Sequence, residues 1–325
     1  MSNTLKNTIA KTYKSNGKLL ITGEYLVLDG AMALAIPTKY NQSLNVIPNN
    51  LNSIVWKSYD KQGCLWFKDE FKIDDTFVPK SIINRDNNIS QRLIQILKAA
   101  KQLSPNFFNP NLSCTVTTHL NFNRYWGLGT SSTLINNIAN WAKIDAYKLL
   151  ALTFGGSGYD IACAQNQTPI SYQLQKDDLP NVNPVRFNPV FAKHLYFVYL
   201  NQKQNSRDGI KTYKSLRKIN DSIINTISTI TKSIINCKDL LEFEELITTH
   251  ESITSKLIKC RTIKSQLFND YNGAIKSLGA WGGDFVLATS KTNPKAYFAS
   301  KGFKTIIPFN DMILNSLEPL KVAKN

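Results

Sequence analysis

The sequence predicts a chain of two domains in which strands and helices are mixed. Its 325 residues are about twice the length of a typical single domain. The composition, 42% hydrophobic and 10% aromatic residues, is sufficient for sizeable cores and argues against general disorder. The segment Lys176–Pro189 carries three prolines and paired acidic residues, which is typical of a boundary. We therefore expect one domain at residues 1–180 and another at 181–325.

The N-terminal half is rich in predicted strands, and short helical patterns lie between them. An apolar run predicts a first strand over Lys18–Leu28, with a turn at Asp29-Gly30. Further strands are expected at residues 31–37, 54–59, 65–68, 113–120 and 170–174. Apolar residues at helical spacing predict helices at residues 89–103, 134–142 and 146–152.

The C-terminal half combines two long helices with short strands. A stripe of isoleucines recurs at helical spacing and predicts a buried face, with a partner-helix interface as the alternative: Ile219, Ile223, Ile227, Ile230 and Ile234. A second helix is expected over Leu240–Leu257 and a short one near Pro294–Lys301. Strands are predicted at residues 195–200, 285–288 and 304–307.

Charge and cysteine content limit the classes of function. Lysine and arginine total 39 against 23 acidic residues, a net charge of +16, which favours anionic partners. No run of five basic residues occurs, so we expect a solvated basic surface with a local anion site, and no nucleic-acid partner. Five dispersed cysteines without C-x-x-C argue against a zinc site or disulfide framework. Without a signal peptide or an 18-residue apolar run, we expect a cytoplasmic protein, a monomer or homodimer, with no membrane partner.

A glycine turn ending in three hydroxyl residues stands between a predicted strand and a helix. Glycines allow close backbone approach, while unpaired N–H groups and the helix dipole favour an anion. The alternative is an ordinary Ser/Thr cap after a tight turn. The turn matches neither the P-loop pattern nor the dinucleotide fingerprint. The candidate phosphate ligands are Gly127, Leu128, Gly129, Thr130, Ser131 and Ser132.

Four motifs together resemble the GHMP kinase superfamily. Residues 15–25, SNGKLLITGEY, are similar to its first motif, P-G-K-L-x-x-x-G-E-[YH]. Residues 127–132 resemble its G-L-G-S-S-A phosphate loop, and residues 279–284, GAWGGD, resemble its C-terminal glycine loop. Residues 157–160, SGYD, resemble the S-G-x-D segment of mevalonate and phosphomevalonate kinases, and GYDIA at 158–162 is typical of the GYDIA-type branch.

The resemblance implies an α+β fold with a ribosomal-S5-domain-2-like N-terminal domain and a ferredoxin-like C-terminal domain. It also implies ATP and Mg²⁺ as cofactors. Ser131 would contact magnesium and phosphate, Asp160 would accept or hold the proton of the acceptor hydroxyl, and Lys18 would stabilise negative charge. Glu24 could instead brace the first motif structurally. The implied acceptor-binding residues are Lys18, Glu24, Tyr25, Ser157, Asp160, Arg207, Gly282 and Gly283.

The sequence departs from the family pattern at several positions. Asn16 and Asn123 replace prolines of the first two motifs, and Trp281 replaces a glycine of the third, which could therefore pack an aromatic ring. Mevalonate kinases carry a magnesium-binding glutamate before the catalytic aspartate. Here no acid lies between Asp145 and Asp160, so Asp145 could serve only if the chain returns it to the site.

The predicted function is phosphorylation of phosphomevalonate by ATP in the mevalonate (isoprenoid) pathway. Glu24-Tyr25 and the Gly-Gly-Asp at 282–284 favour phosphomevalonate kinase, with mevalonate kinase as the close alternative. Arg207, near Lys203 and Lys211, could bind the acceptor phosphate, or this group could be a solvated helix start. A third hypothesis is a non-catalytic nucleotide or phosphate sensor on the same fold.

Overall fold

A computed structural model describes most of the chain. The described residues are 10–73, 79–84, 87–107, 112–175, 179–204, 206–215 and 220–314, without the side chains of residues 206–208. Every helix within these ranges is too short or too polar to cross a bilayer.

Twelve strands and ten α-helices form within the described ranges. The strands are β1 Lys11–Leu20, β2 Ala33–Pro48, β3 Ile54–Tyr59, β4 Leu65–Ile73, β5 Pro79–Ser81, β6 Cys114–Leu120, β7 Ile170–Gln173, β8 Asn181–Pro184, β9 Leu195–Tyr199, β10 Ile275–Ser277, β11 Phe285–Thr289 and β12 Ile306–Pro308. The helices are α1 Asn88–Leu103, α2 Thr130–Ala142, α3 Ala146–Ala151, α4 Tyr159–Gln165, α5 Ser206–Lys214, α6 Asp221–Asn236, α7 Leu240–Ile258, α8 Ile263–Leu267, α9 Lys295–Ser300 and α10 Phe309–Met312.

The first predicted strand is wrong in its extent. The strand is β1, which ends at Leu20, and Leu26–Asp29 forms a 3₁₀ helix closed by Gly30 at φ +88°. Gly23 at φ +87° interrupts the extended chain between them. Residues 15–27 are buried except for the half-buried Lys18, so their apolar residues form one run that periodicity could not divide.

Several helices begin at side-chain caps that the sequence supplies. Each cap accepts a hydrogen bond from a first-turn N–H group, which satisfies a donor that the helix itself cannot. The capping residues are Asn87 for α1, Asp145 for α3, Asn220 for α6, Asp239 for α7 and Thr262 for α8.

The first of two compact units comprises the described residues of 1–17, 40–124 and 129–165. Its strands follow the order β5-β4-β3-β6-β2, with β3 and β6 parallel and the other neighbours antiparallel. Helices α1 to α4 pack against these strands around a single core, in which Trp56 and Phe71 are fully buried. This mixture of sheet and helices agrees with the predicted α+β class.

The second unit comprises residues 18–39, 125–128 and the described residues from 166 onward. Its antiparallel sheet has the order β10-β11-β9-β12. The chain order is β9, helices, β10, β11, α9, β12, which is the βαββαβ arrangement of a ferredoxin-like domain. The first residues of β2 pair with β7, which in turn pairs with β8. The ferredoxin-like prediction is therefore confirmed.

The isoleucine stripe is buried on α6, as expected, at Ile227, Ile230 and Ile234. Ile219 lies outside the described residues. The division at residue 180 stays a prediction, since each compact unit combines three separate stretches of the chain.

Candidate functional site

The start of α2 lies in the first unit and has the features of an anion site. Gly129 occupies the cap position at φ +92°, and no side chain caps this helix. The hydroxyls of Ser132 and Thr133 both donate to Gly129 O at 3.0 Å, which fixes the turn. Ser131 is exposed, whereas Ser132 is buried. The first-turn N–H groups and the Ser131 hydroxyl therefore fit a phosphate group, while the proton of Ser132 is already engaged.

Asp160 lies at the start of α4, in the same unit. Gly158, at φ +85°, precedes this helix, and α4 packs against α2. Gln165 on α4 donates to Asn136 on α2 at 2.9 Å, which links the two helices. Asp160 and Ser157 are both half-buried. The structure thus places Ser131 and Asp160 at the N-terminal ends of two helices that pack together.

Asp145, considered above as a magnesium ligand, caps α3 instead. Its Oδ1 accepts hydrogen bonds from the backbone N–H groups of Tyr147 at 2.7 Å and Lys148 at 3.2 Å. Among the described residues, no group of three or more His, Cys, Asp and Glu side chains could hold a metal ion. Mg²⁺ in phosphotransferases takes much of its coordination from water and substrate phosphates. The residues present therefore fit Mg²⁺ as an ion shared with phosphate, and not as an ion in a protein cage.

Lys18 lies in the second unit, where it contacts the beginning of the glycine turn. Its backbone N–H donates to Leu128 O at 3.0 Å, and its Nζ donates to Gly127 O at 2.9 Å. Gly127 has φ +66°, a conformation that glycine adopts at little cost. Two hydrogen bonds therefore hold Lys18 beside Gly127 and Leu128, while its predicted role in phosphoryl transfer stays a prediction.

Glu24 is fully buried in a cluster of ionisable side chains. It forms an ion pair with Lys276, and Glu251 lies 3.7 Å from the same lysine. The Nε2 atom of His250 lies 3.5 Å from Glu24 Oε2. Burial raises the pKa of Glu24 to about 7, against the lowering effect of Lys276. Its role as an acceptor ligand remains a prediction, but this position fits the bracing role better.

His250 is neutral in this cluster. Its Nε2 accepts a hydrogen bond from Gly23 N–H at 2.9 Å, so that nitrogen carries no proton. Burial first, and then Lys276, hold the pKa of His250 well below its usual value. Neither His250 nor Lys276 was a candidate from the sequence, because one buried polar residue on a helix or strand carries no local signal.

Tyr25 joins the first motif to the third glycine loop. Its hydroxyl donates to Ala280 O at 2.7 Å, and its ring stacks on Tyr213 with centroids 5.4 Å apart. Trp281, with only 4% of its surface exposed, packs in the same aromatic cluster. The third loop therefore does pack an aromatic ring where the family pattern has a glycine.

Gly282 and Gly283 approach the segment that follows β9. A Cβ on Gly282 would lie 2.9 Å from Gln204 Nε2, and one on Gly283 would lie 2.6 Å from Gln202 O. Both glycines thus serve packing within the second unit, and their predicted contact with an acceptor stays untested. The side chain of Arg207 lies outside the described residues, and Lys203 is exposed.

Asp284 is a candidate that the sequence analysis did not select. It lines a small pocket together with Lys18, Trp126, Gly127 and Gly279. A Cβ on Gly127 would lie 2.2 Å from Asp284 Cγ, so the carboxylate packs directly on that glycine. The sequence signal for Asp284 is its place as the last residue of the third motif, at residues 279–284.

Comparison with solved structures identifies the fold. The Methanococcus jannaschii mevalonate kinase matches with a TM-score of 0.68 at 13% identity, over 95% of this chain and 100% of the other. The L. major mevalonate kinase in complex with R-mevalonate matches at 0.66 and 15%, over 98% and 100%. The Streptococcus pneumoniae phosphomevalonate kinase in complex with phosphomevalonate and AMPPNP matches at 0.64 and 16%, over 90% and 97%.

Kinases that act on sugars have similar structures too, among them a D-glycero-D-manno-heptose 1-phosphate kinase and a galactokinase. No protein-family model matches the sequence, and no curated protein matches it in sequence. At 10–17% identity the likeness extends to architecture and not to the acceptor. The chain resembles the GHMP kinase superfamily and has its two-domain α+β fold.

Proposed function

We propose that the chain is an ATP-dependent phosphotransferase acting on a small molecule, with phosphomevalonate as the acceptor. The observation that carries the proposal is the start of α2, where glycine takes the cap position and the exposed Ser131 follows. Five other helices are capped by their own side chains. Helix α2 has no side-chain cap, as is also true of the short helices α9 and α10, but α2 alone of these three follows a glycine turn and carries an exposed hydroxyl residue, Ser131, in its first turn. The GHMP kinase fold supports the same activity.

ATP would supply the transferable phosphoryl group, with Mg²⁺ reducing its charge. The α2 N-terminus and Ser131 bind phosphate oxygens. Asp160 holds the acceptor oxygen and, where that oxygen is a hydroxyl, accepts its proton. Lys18 stabilises negative charge that develops during transfer. The remaining parts of the proposal are a cytoplasmic location and a monomer or homodimer.

The choice of phosphomevalonate rests on sequence features. Glu24-Tyr25 in the first motif and the Gly-Gly-Asp at 282–284 resemble phosphomevalonate kinases. The net charge of +16 supports an anionic acceptor, phosphate or carboxylate, only in general terms. Mevalonate is the second candidate, because mevalonate kinases have equally similar structures.

A nucleotide or phosphate sensor is the competing function of another class. The observation that favours it is the lack, among described residues, of a cluster of three side chains suited to a metal ion. ATP consumption over mevalonate, phosphomevalonate, homoserine and galactose separates these functions. Turnover of any acceptor rejects the sensor, and the preferred acceptor identifies the kinase. ATP binding without turnover of any of them would reject the kinase proposal in favour of the sensor.

Arg207 tests the choice of phosphomevalonate. A guanidinium can bind a phosphate in bidentate fashion, and losing such a contact costs about 1.5–3 kcal/mol, or roughly ten- to more than a hundredfold in affinity. We expect Arg207→Ala to raise the KM for phosphomevalonate by that factor and to leave the KM for ATP unchanged. Arg261→Ala, at an exposed position in the same unit, is the matched control. Equal KM values for both variants would remove Arg207 from the site.

A further inference from the structure

Asp284 is held in place by its backbone and by one side-chain contact. It has φ +53°, a left-handed conformation that non-glycine residues adopt at a cost. Its N–H donates to Gln202 O at 2.6 Å, and its carbonyl accepts from Leu200 N–H at 2.8 Å. Its Oδ1 accepts from Gln204 N–H at 3.2 Å. These bonds fix both the loop and the direction of the carboxylate.

The carboxylate is directed at Gly127. A Cβ at that position would lie 2.2 Å from Asp284 Cγ and Oδ2, and 2.5 Å from Oδ1. No other amino acid could stand at Gly127 without displacing the carboxylate. Gly127 is also the residue whose carbonyl accepts the hydrogen bond from Lys18 Nζ at 2.9 Å. The Asp284 carboxylate and the Lys18 ammonium group therefore both lie against Gly127 and line the same pocket.

Burial and the neighbouring positive groups change the pKa of Asp284 in opposite directions. Burial raises the pKa of Asp284, while Lys18, the Gln204 N–H group and Lys203 act in the lowering direction. The hydroxyl of Tyr199 is also near: burial and then Asp284 raise its pKa, and it donates to Tyr125 O at 3.1 Å. A half-buried carboxylate in this place costs free energy unless a cation compensates it.

We propose that Asp284 is a positioning residue for Lys18, holding the lysine ammonium at the Gly127 carbonyl by charge attraction from beside that glycine. It does not itself contact the transferred group. The lysine then enters the reaction with its side chain already ordered, which lowers the entropy lost in the transition state. The role in phosphoryl transfer rests on the proposed function, whereas the charge contact does not.

The variant Asp284→Asn distinguishes the positioning role from a purely structural role of Asp284. Asparagine keeps the Oδ1 acceptor for Gln204 N–H and nearly the same shape, but removes the negative charge. A structural role would therefore survive the change, whereas Lys18 would lose the charge that favours its ammonium form. The reactivity of the Lys18 amine reports that form directly, with or without kinase activity.

The experiment is trace acetylation of the full-length protein with acetic anhydride at a series of pH values, with mass spectrometry of the Lys18 peptide. We expect Lys18 of Asp284→Asn to react about 3- to 10-fold faster than wild type in the alkaline range, where the loss of a nearby charge is worth about that factor. An unchanged or slower rate overturns the proposal. Asp284→Ser, which keeps a short acceptor, replaces the asparagine variant if that variant does not fold.

The matched control is Asp270→Asn in the same unit. Asp270 is exposed and pairs with Lys301 at 2.9 Å. Asp270→Asn should speed the acetylation of Lys301 and leave the acetylation of Lys18 unchanged. Faster acetylation of Lys18 in both variants would show that the effect of Asp284 on Lys18 is not specific, and would overturn the proposal. If wild type phosphorylates an acceptor, Asp284→Asn should lower kcat more than it changes the KM for ATP. If wild type phosphorylates none, the proposed function fails while the labelling result still decides the contact.

Discussion

Replacing Gly127 by alanine tests the close contact between this residue and Asp284. Two costs are expected. The left-handed backbone at φ +66° costs an alanine about 1–2 kcal/mol. The new methyl group would also lie 2.2 Å from the Asp284 carboxyl carbon, so the carboxylate must move and weaken its hydrogen bond to Gln204 N–H. Overpacking of this kind costs about 1–3 kcal/mol more.

Gly279 provides the matched control within the same unit. Its φ is +64°, close to that of Gly127, but a Cβ there would meet nothing within 4 Å. Gly279→Ala should therefore lose stability only through the strained backbone, because its methyl group would collide with no other atom. We expect the free energy of unfolding of Gly127→Ala to fall below that of Gly279→Ala by about 1–3 kcal/mol.

The assay is urea denaturation of both variants and of wild type, followed by circular dichroism and tryptophan fluorescence. Combining Gly127→Ala with Asp284→Ser removes most of the obstructing group, so the double variant should recover part of the excess loss. Equal stabilities of the two alanine variants would refute the contact. A double variant with fully additive losses would show that the collision is with another group.

Three further predictions concern the base, the buried cluster and the third loop. On a hydroxyl acceptor, Asp160→Asn should lower kcat by about a hundredfold or more with the KM for ATP unchanged; near-normal turnover in steady-state assays would exclude Asp160 as the base. Because burial raises the folded-state pKa of Glu24 from 4.5 to about 7, the unfolded state releases that proton first, so stability falls as pH rises through this range. Urea denaturation should show that the free energy of unfolding of wild type, relative to that of Glu24→Gln, falls over this pH range. A difference between the two proteins that does not change with pH would contradict the prediction. Trp281→Ala should cost about 3–5 kcal/mol, because the indole is buried; a loss below about 1 kcal/mol would show that the indole contributes little packing.

Elements with a strong local pattern could be predicted from the sequence. The strand Ile54–Tyr59 has the predicted bounds, and α1 differs from its prediction by a single residue at its start. The ferredoxin-like arrangement was predicted from the family resemblance and not from local patterns. The order of short strands in a sheet depends on pairing between residues far apart in the chain, which no local pattern shows. The 3₁₀ helix at Leu26–Asp29 could not be predicted, because Leu26 and Val27 are buried and their apolar side chains continue the run of the preceding strand.

Candidate site residues could be proposed from the sequence where one stretch of chain carries the signal. The glycine turn before α2 was such a stretch, and Lys18 followed from its motif. The contact of Asp284 with Gly127 joins residues 157 positions apart, and no local pattern predicts it. Asp145 was considered as a magnesium ligand because the sequence shows only an aspartate. It does not show whether that aspartate caps a helix or binds a metal ion.

The interleaving of the two compact units has a consequence for synthesis on the ribosome. All segments of the first unit have been made once Gln165 is added, so it can fold while translation continues. Residues 18–39, which belong to the second unit, are made early, but several of their partners are made much later: Thr231 on α6, His250 on α7 and Lys276 on β10. Their apolar residues, including Leu26 and Val27, are buried in the finished protein. A nascent chain stalled in this interval exposes them, and we expect it to need a chaperone or to aggregate.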